Sequence, residues 1–198
     1  MRRRIYNSDR TNMKRSSANG RILPLVLVLI IWGLGSGCFQ TCKPGKPGKP
    51  TRYNIQINLD PALKDSSMEV HLVGVNAGNL QTYMNYNMTD YWKKKNDDLR
   101  EGGDKRVLSF LDGTTLSQSL TNSDPIWTGW LKKGVTHVMV FSNLPGSPEN
   151  KPGAQDPRRQ VLNLSPCKWV KKTKTLTVEV KRSGIEIRTP IRPGFENE

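Results

Sequence analysis

The feature that most constrains the fold is the alternation of apolar and polar side chains that begins after Pro50. Apolar residues at every second position predict a half-buried β-strand. In the first such strand the apolar residues are Tyr53, Ile55, Ile57 and Leu59. Further strand signals follow at Met68 to Val75, Lys105 to Leu111, Thr114 to Leu120, Val135 to Ser142, Thr175 to Lys181 and Ile185 to Ile187.

Turn residues separate these strands. Asp112-Gly113 predicts a hairpin between the third and fourth strands, and Arg182-Ser183-Gly184 predicts the last hairpin. Only Thr89 to Arg100 indicates a helix, and the polar, proline-containing stretch Ser147 to Pro157 is expected to be a surface loop. Seven or so short strands with one short helical insertion predict an all-β fold, a two-layer β-sandwich.

An apolar run, Ile22 to Trp32, precedes the strands and follows a basic stretch over residues 1–21. With Gly33 to Gly37 the uncharged segment is 16 residues long, shorter than the ~20 that cross a bilayer comfortably. Basic, apolar and small residues in this order predict an export signal over residues 1–37. A twin-arginine signal from Arg2-Arg3-Arg4 is a weaker alternative, because these arginines lie far from the apolar run.

The end of this signal resembles a bacterial lipobox, in Leu34-Gly35-Ser36-Gly37-Cys38. The resemblance implies that Cys38 is acylated and that the chain is cut in front of it; a thiolate is the nucleophile this chemistry needs. Gly35 departs from the aliphatic residue usual there. In Gram-negative lipoproteins Asp after the cysteine favours the inner membrane, so Phe39 implies the outer membrane. An ordinary cleaved signal with an incidental cysteine is the alternative.

The mature chain divides into a tether over residues 38–51, a sandwich over 52–190 and a flexible tail over 191–198. Lys43 to Pro50 repeats Lys, Pro and Gly, a composition typical of a semi-extended linker whose lysines favour anionic head groups. The chain has a net charge of +14, of which residues 1–37 carry +6. No nucleic-acid recognition motif accompanies this charge, so no nucleic-acid partner is expected.

If Cys38 carries lipid, Cys42 and Cys167 remain as an even pair in an oxidising compartment. A bridge between them would attach the tether to the domain and shorten its reach. The alternative is that Cys167, close to Trp169, is an unpaired buried residue.

Groups that support catalysis or a metal are sparse in the sequence. His71 and His137 lie inside predicted strands, so we expect strand residues and no enzyme. The cysteines and histidines lack paired ligand spacing, and no glycine-rich phosphate loop is present, so no metal or cofactor is expected. Four tryptophans could in principle form a sugar-stacking platform, but core packing is the preferred interpretation. They are Trp92, Trp127, Trp130 and Trp169.

The order of elements resembles the TssJ family, the small lipoproteins of the type VI secretion membrane complex. The matching features are the first strand ending in Asn58-Leu59-Asp60-Pro61, the strand Met68 to Val75, the aromatic helix Met88 to Trp92 and the hairpin Leu176 to Ile187. The resemblance implies a transthyretin-like sandwich, anchored in the outer membrane and facing the periplasm. It also implies a periplasmic protein partner, the large inner-membrane subunit of the complex.

In that family the loop joining the first two strands makes most of the partner contact. Its counterpart here, called the partner loop below, consists of Asp60, Pro61, Ala62, Leu63, Lys64 and Asp65. Leu63 is predicted as an apolar anchor within a polar rim; an ordinary turn is the alternative for any one residue. The predicted function is a non-catalytic docking lipoprotein. The alternatives are a lipid-anchored module that binds glycan or peptidoglycan and, less favoured, a hydrolase that depends on His137.

Overall fold

The computed structural model describes residues 42–43, 48–111, 113–146 and 148–196. The expected export signal and Cys38 lie outside these described residues. Within them, no helix combines the length and the apolar character that a bilayer crossing requires.

Two four-stranded sheets pack on each other, which confirms the predicted all-β, two-layer sandwich. The strands of the first sheet are β1 (Asn54–Leu59), β4 (Ser117–Leu120), β7 (Thr175–Lys181) and β8 (Gly184–Ile187). Those of the second sheet are β2 (Met68–Asn76), β3 (Lys105–Phe110), β5 (Val135–Ser142) and β6 (Arg159–Asn163). The order is β4-β1-β7-β8 in the first sheet and β3-β2-β5-β6 in the second.

Strand β1 shows how the alternation builds the core. Ile55 and Ile57 are fully buried, whereas Gln56 between them is half-buried on the opposite face. β1 lies between β4 and β7, so its inward side chains meet apolar neighbours such as Val178 of the parallel strand β7. Burying one such side chain contributes about 1.5–3 kcal/mol. The pattern read from the sequence is therefore also the main source of stability in this sheet.

The described residues contain four short α-helices, α1 (Leu80–Asn85), α2 (Met88–Lys93), α3 (Asp98–Gly102) and α4 (Ile126–Lys132). Met88 and Tyr91 of α2 pack on the outer face of the second sheet, against Val73 and Phe141. This second apolar cluster explains why β2 is apolar on both of its faces. Helices α1, α2 and α3 thus form a third layer on one side of the sandwich, whereas Trp127 and Trp130 of α4 pack into the core between the sheets.

The single helix predicted over Thr89 to Arg100 is divided into α2 and α3. Asn96 has a φ of 55°, a left-handed conformation that a continuing helix does not tolerate. Asp97 then caps α3, because its carboxylate accepts the N–H of Arg100 at 2.9 Å. Asn96 therefore lies in the break between the two helices, and Asp97 starts the second one.

The hairpin predicted at Asp112-Gly113 is wrong. β3 pairs with β2 and β4 pairs with β1, so the chain crosses here from the second sheet to the first. Gly113 does adopt a φ of 64°, as a turn glycine should, but a turn residue specifies the bend and not the strand that is paired next. The last hairpin is confirmed, because β7 and β8 pair in antiparallel register.

The tail that we expected to be flexible packs against the domain through Glu196. Phe195 is buried, and Ile191 pairs with Trp169. The ammonium group of buried Lys168 donates hydrogen bonds to the carbonyls of Phe195 and Glu196. One buried apolar side chain, a backbone bridge at Ile191 and a buried cation therefore hold this segment on the domain.

The sandwich has two distinct ends. Asn54 pairs with Thr175, so the parallel strands β1 and β7 begin side by side. We call this the tether end; it contains residues 48–53 and 164–174. The other end, called the loop end, contains residues 60–67 and the β7–β8 turn. A strand of six residues spans about 20 Å, which separates the two ends.

Candidate docking surface and anchor segment

The partner loop begins where β1 ends, at the loop end of the sandwich. The Asp60 carboxylate accepts the N–H of Ala62 at 2.8 Å, and the Asp60 carbonyl accepts the N–H of Leu63 at 2.8 Å. These bonds wind one 3₁₀ turn that starts with Pro61, whose missing N–H needs no partner at that position. Arg182 of the β7–β8 turn donates to the Ala62 carbonyl at 3.2 Å. The loop is therefore a fixed part of this end.

The prediction that Leu63 is the exposed apolar anchor of this loop is wrong. Leu63 is fully buried in the core between the two sheets. Its neighbours Pro61, Ala62, Lys64 and Asp65 remain exposed. The 3₁₀ turn directs one side chain of the loop inward, and Leu63 occupies that position. Leu63 stabilises the loop and leaves the contacts with a partner to other residues.

An apolar side chain that sequence analysis missed, Leu111, lies beside the partner loop. It is 64% exposed, more than any other large apolar side chain in the described part of the chain. Phe110 pairs with Met68, where β2 starts after the loop, and Leu111 follows directly. A Cβ atom on Gly113 would lie 2.9 Å from the Lys64 carbonyl oxygen, so this turn touches the loop. The alternation of β3 could have predicted this exposure, since the residue after inward-facing Phe110 faces outward.

We call the exposed residues of this region the loop-end surface, which consists of Pro61, Ala62, Lys64, Asp65 and Leu111. It combines apolar side chains with one charge of each sign. Neither charged residue takes part in an ion pair among the described residues. The surface can therefore offer both apolar area and charge to a partner.

At the tether end, a disulfide joins Cys42 to Cys167 across 125 residues of sequence, with the two Cα atoms 5.3 Å apart. The hydroxyl oxygen of Ser165 accepts N–H groups from Gly48 at 2.8 Å and from Cys167 at 3.2 Å. The N–H of Thr51 donates to the carbonyl of Leu164 at 3.0 Å. Both described parts of the expected tether are therefore held against the domain.

Three of the four tryptophans in the described part of the chain are unsuited to stacking on a sugar. Trp127, Trp130 and Trp169 are buried, and each indole N–H donates to a backbone carbonyl. Trp92 is half-buried beside His71, with ring centroids 4.7 Å apart. Core packing, the preferred interpretation of the sequence, describes these side chains, and no exposed platform exists among them.

A polar cleft of about 550 Å³ lies over the outer face of the second sheet, and its lining includes Glu69, His71, Trp92, Arg100 and Lys105. The Nδ1 atom of His71 lies 2.8 Å from the hydroxyl of Tyr91, and Nε2 lies 3.4 Å from Glu69. Burial lowers the pKa of His71, which Glu69 partly opposes, and burial raises the pKa of Tyr91. A neutral imidazole and a neutral phenol thus link β2 to α2.

The second histidine, His137, lies in β5 and contacts the Thr136 hydroxyl at 2.9 Å. Both histidines are hydrogen-bonded strand residues, as the sequence predicts. Within the described ranges, no three or more side chains of His, Cys, Asp or Glu are grouped in a way that suits a metal ion.

Solved structures that are similar to this chain include three from type VI secretion systems. The C-terminal domain of the type VI secretion protein TssM from EAEC has 14% identity and a TM-score of 0.44, over 68% of this chain and 98% of that one. Serratia marcescens Lip, a membrane-bound component of the type VI secretion system, has 10% identity and a TM-score of 0.43, over 72% and 99%. The type VI secretion lipoprotein TssJ1 from Pseudomonas aeruginosa has 14% identity and a TM-score of 0.45, over 73% and 98%.

No protein-family model matches the chain, and no curated protein matches it. Likeness at identities this low concerns backbone architecture, because binding properties reside in particular side chains.

Proposed function

We propose that this chain is an envelope lipoprotein, acylated at Cys38 in the outer membrane, that acts as a non-catalytic docking module in the periplasm. Its partner is another protein, specifically the periplasmic part of the inner-membrane subunit of a type VI secretion complex. The lipobox-like residues support the anchor, and the order of the strands and helices along the sequence supports the choice of complex.

The observation that carries the proposal concerns the anchor segment, by which we mean residues 42–43 and 48–53. This segment and the loop-end surface lie at opposite ends of β1. Residues 48–53 enter the domain at the tether end, and the disulfide of Cys42 is formed there as well. The partner loop begins at the other end of the same strand. A domain held at one end by lipid therefore presents the partner loop away from the membrane.

The chemistry of the loop-end surface suits a protein partner. Stable interfaces combine a buried apolar centre with a polar rim. Leu111, 64% exposed, supplies an apolar side chain of the kind that fills a pocket on a partner. Lys64 and Asp65 supply the rim. The glycan-binding alternative has less support, because Trp127, Trp130 and Trp169 are buried.

Substitution of Leu111 tests this proposal. The mature chain should bind the purified periplasmic region of the inner-membrane subunit encoded in the same gene cluster, measured by titration calorimetry. We expect Leu111→Asp to weaken this binding at least tenfold, because the charge replaces an apolar contact at the centre of the interface.

The matched control is Val170→Asp, which introduces the same charge at the tether end. It replaces an apolar side chain that is 37% exposed. This control should bind the partner as the parent does. Equal affinity of the parent and Leu111→Asp would exclude the loop-end surface, and absence of binding by the parent would overturn the choice of partner.

A further inference from the structure

The tether end of the sandwich is strongly basic. Six exposed cations collect there, and we call them the basic tether-end surface: Lys49, Arg52, Lys132, Lys171, Lys172 and Lys174. No ion pair within the described part of the chain involves any of the six. Their charges therefore add at this end of the molecule.

The loop end provides the contrast. Its partner loop and β7–β8 turn carry two acidic and two basic exposed or half-buried residues, Asp60, Asp65, Lys64 and Arg182. The two ends of one sandwich therefore differ in charge while sharing the same strands. Positive charges that served solubility alone would not need to be clustered at one end of the domain.

The contacts of three separate segments bring the six cations together. Arg52 donates to the hydroxyl of Thr128 in α4 at 3.2 Å, which joins the anchor segment to that helix. Lys49, Arg52 and Lys132 line one open concavity of about 520 Å³. The N–H of Asn54 donates to the carbonyl of Lys174 at 3.0 Å, which places the β6–β7 loop beside the same segment.

One of these lysines occupies a backbone conformation that disfavours it. Lys172 has a φ of 68°, in the left-handed region where glycine is the residue of least strain. The position is exposed, and packing does not require a side chain of this length there. The β6–β7 loop therefore has a cation at its strained position, and this cation adds to the positive charge of the basic tether-end surface.

The disulfide limits how far this surface lies from the membrane, an inference that depends on the proposed acylation of Cys38. The chain from Cys38 to Cys42 spans at most about 14 Å when fully extended, because each residue adds ~3.3–3.6 Å. Without the bridge, the next residue held on the domain is Gly48, and the path to it from Cys38 spans about 31 Å at ~3.1 Å per residue. The bridge therefore holds the tether end close to the range over which charges act at physiological salt, about 8 Å.

We propose that the basic tether-end surface binds the anionic phospholipid head groups of the membrane in which the chain is anchored. Lipid and charge then act together: the acyl chains hold the protein on the bilayer, and the lysines hold the domain upright with its loop end outward. Each lysine near an anionic bilayer strengthens binding about fivefold.

Vesicle binding by protein without lipid tests this proposal. The mature chain with Cys38→Ser, exported through a cleavable signal so that the disulfide forms, is mixed with vesicles of phosphatidylglycerol and phosphatidylethanolamine. We expect co-sedimentation that declines as salt rises, and no binding to phosphatidylcholine vesicles. The triple variant Lys171→Glu, Lys172→Glu and Lys174→Glu should bind at least 100-fold more weakly.

Two control variants separate charge from folding and from position. Lys93→Glu, Lys94→Glu and Lys95→Glu make the same change in charge at exposed positions at the end of α2, where Trp92 contacts His71 in the loop-end half of β2. This variant should bind within about threefold of the parent. Lys172→Gly should keep or raise the melting temperature, because it relieves the left-handed position, while weakening binding about fivefold.

Three outcomes would overturn the proposal. They are failure of the parent to bind anionic vesicles at low salt, equal losses in the two triple variants, and binding to polyglutamate as tight as to vesicles, which would indicate a general anion-binding surface. Because this protein lacks lipid and no partner is present, these outcomes are independent of the Leu111 titration. Failure of one proposal is therefore distinguishable from failure of the other.

Discussion

At the scale of single residues, two leucines near the partner loop have opposite environments. Leu63 is fully buried in the core, and Leu111 is 64% exposed. The sequence offered Leu63 as the contact residue because it stands between polar neighbours in a loop, where no alternation indicates which way a side chain points. Leu111 directly follows β3, and its outward direction follows from the period of that strand. Residues in strands were therefore more predictable than residues in turns.

Alanine substitutions of these two leucines should separate stability from binding. Leu63→Ala removes a buried side chain and leaves a cavity, so we expect the free energy of unfolding to fall by about 2–5 kcal/mol. Leu111→Ala should change it by no more than about 0.5 kcal/mol, because the side chain is mostly in solvent. Denaturant titration followed by tryptophan fluorescence measures both. Equal effects of the two substitutions would contradict the burial described for the partner loop.

At the scale of elements, the strands with regular alternation were predicted and the irregular ones were not. β6 begins with Arg159, a buried cation whose guanidinium donates to the carbonyls of Tyr83 and Tyr86 near the end of α1. A strand that starts with a charged residue after a proline-rich loop gives no alternation signal. α4 was missed because Gly129 interrupts a short segment that starts directly after a proline.

The long polar loop before β6 is more ordered than its composition indicates. Burial raises the pKa of Asp156, but hydrogen bonds from Arg158 and from the N–H of Lys151 outweigh this effect and lower it. Arg158 also donates to Thr89, and Asn150 accepts the N–H of Met88. The Asp156–Arg158 ion pair orders the loop internally, and the bonds of Arg158 to Thr89 and of Asn150 to Met88 attach it to α2. The sequence predicts a loop here, but the partners that order it are distant in the chain.

The disulfide is the element whose removal is most informative. Cys42→Ser should lower the free energy of unfolding by about 2–4 kcal/mol, because the bond closes a long segment of the chain. Thermal unfolding with and without reductant measures this. The parent with reductant should match the variant, and reductant should leave the variant unchanged. Two alkylatable thiols in the mature parent protein without reductant would contradict the bridge.

At the scale of the whole molecule, the sandwich has a basic end where the anchor segment enters and a loop end that carries exposed Leu111. Sequence composition gave the net charge of +14 but not its distribution, which depends on three segments meeting at one end. Likewise, the sequence indicated a tether, while the contacts of Gly48 and Thr51 show its last residues on the domain. An anchor at Cys38 would turn this arrangement into an orientation relative to the membrane.

The intact mass of the full chain, expressed in a Gram-negative host and extracted from its envelope, tests that anchor. We expect a protein that starts at Cys38 and carries diacylglyceryl and N-acyl groups. The Cys38→Ser variant should lack these groups and should no longer be recovered as an acylated protein in the membrane fraction. An unmodified cysteine in the mature protein, or a chain that starts at another residue, would contradict a lipid-anchored docking module.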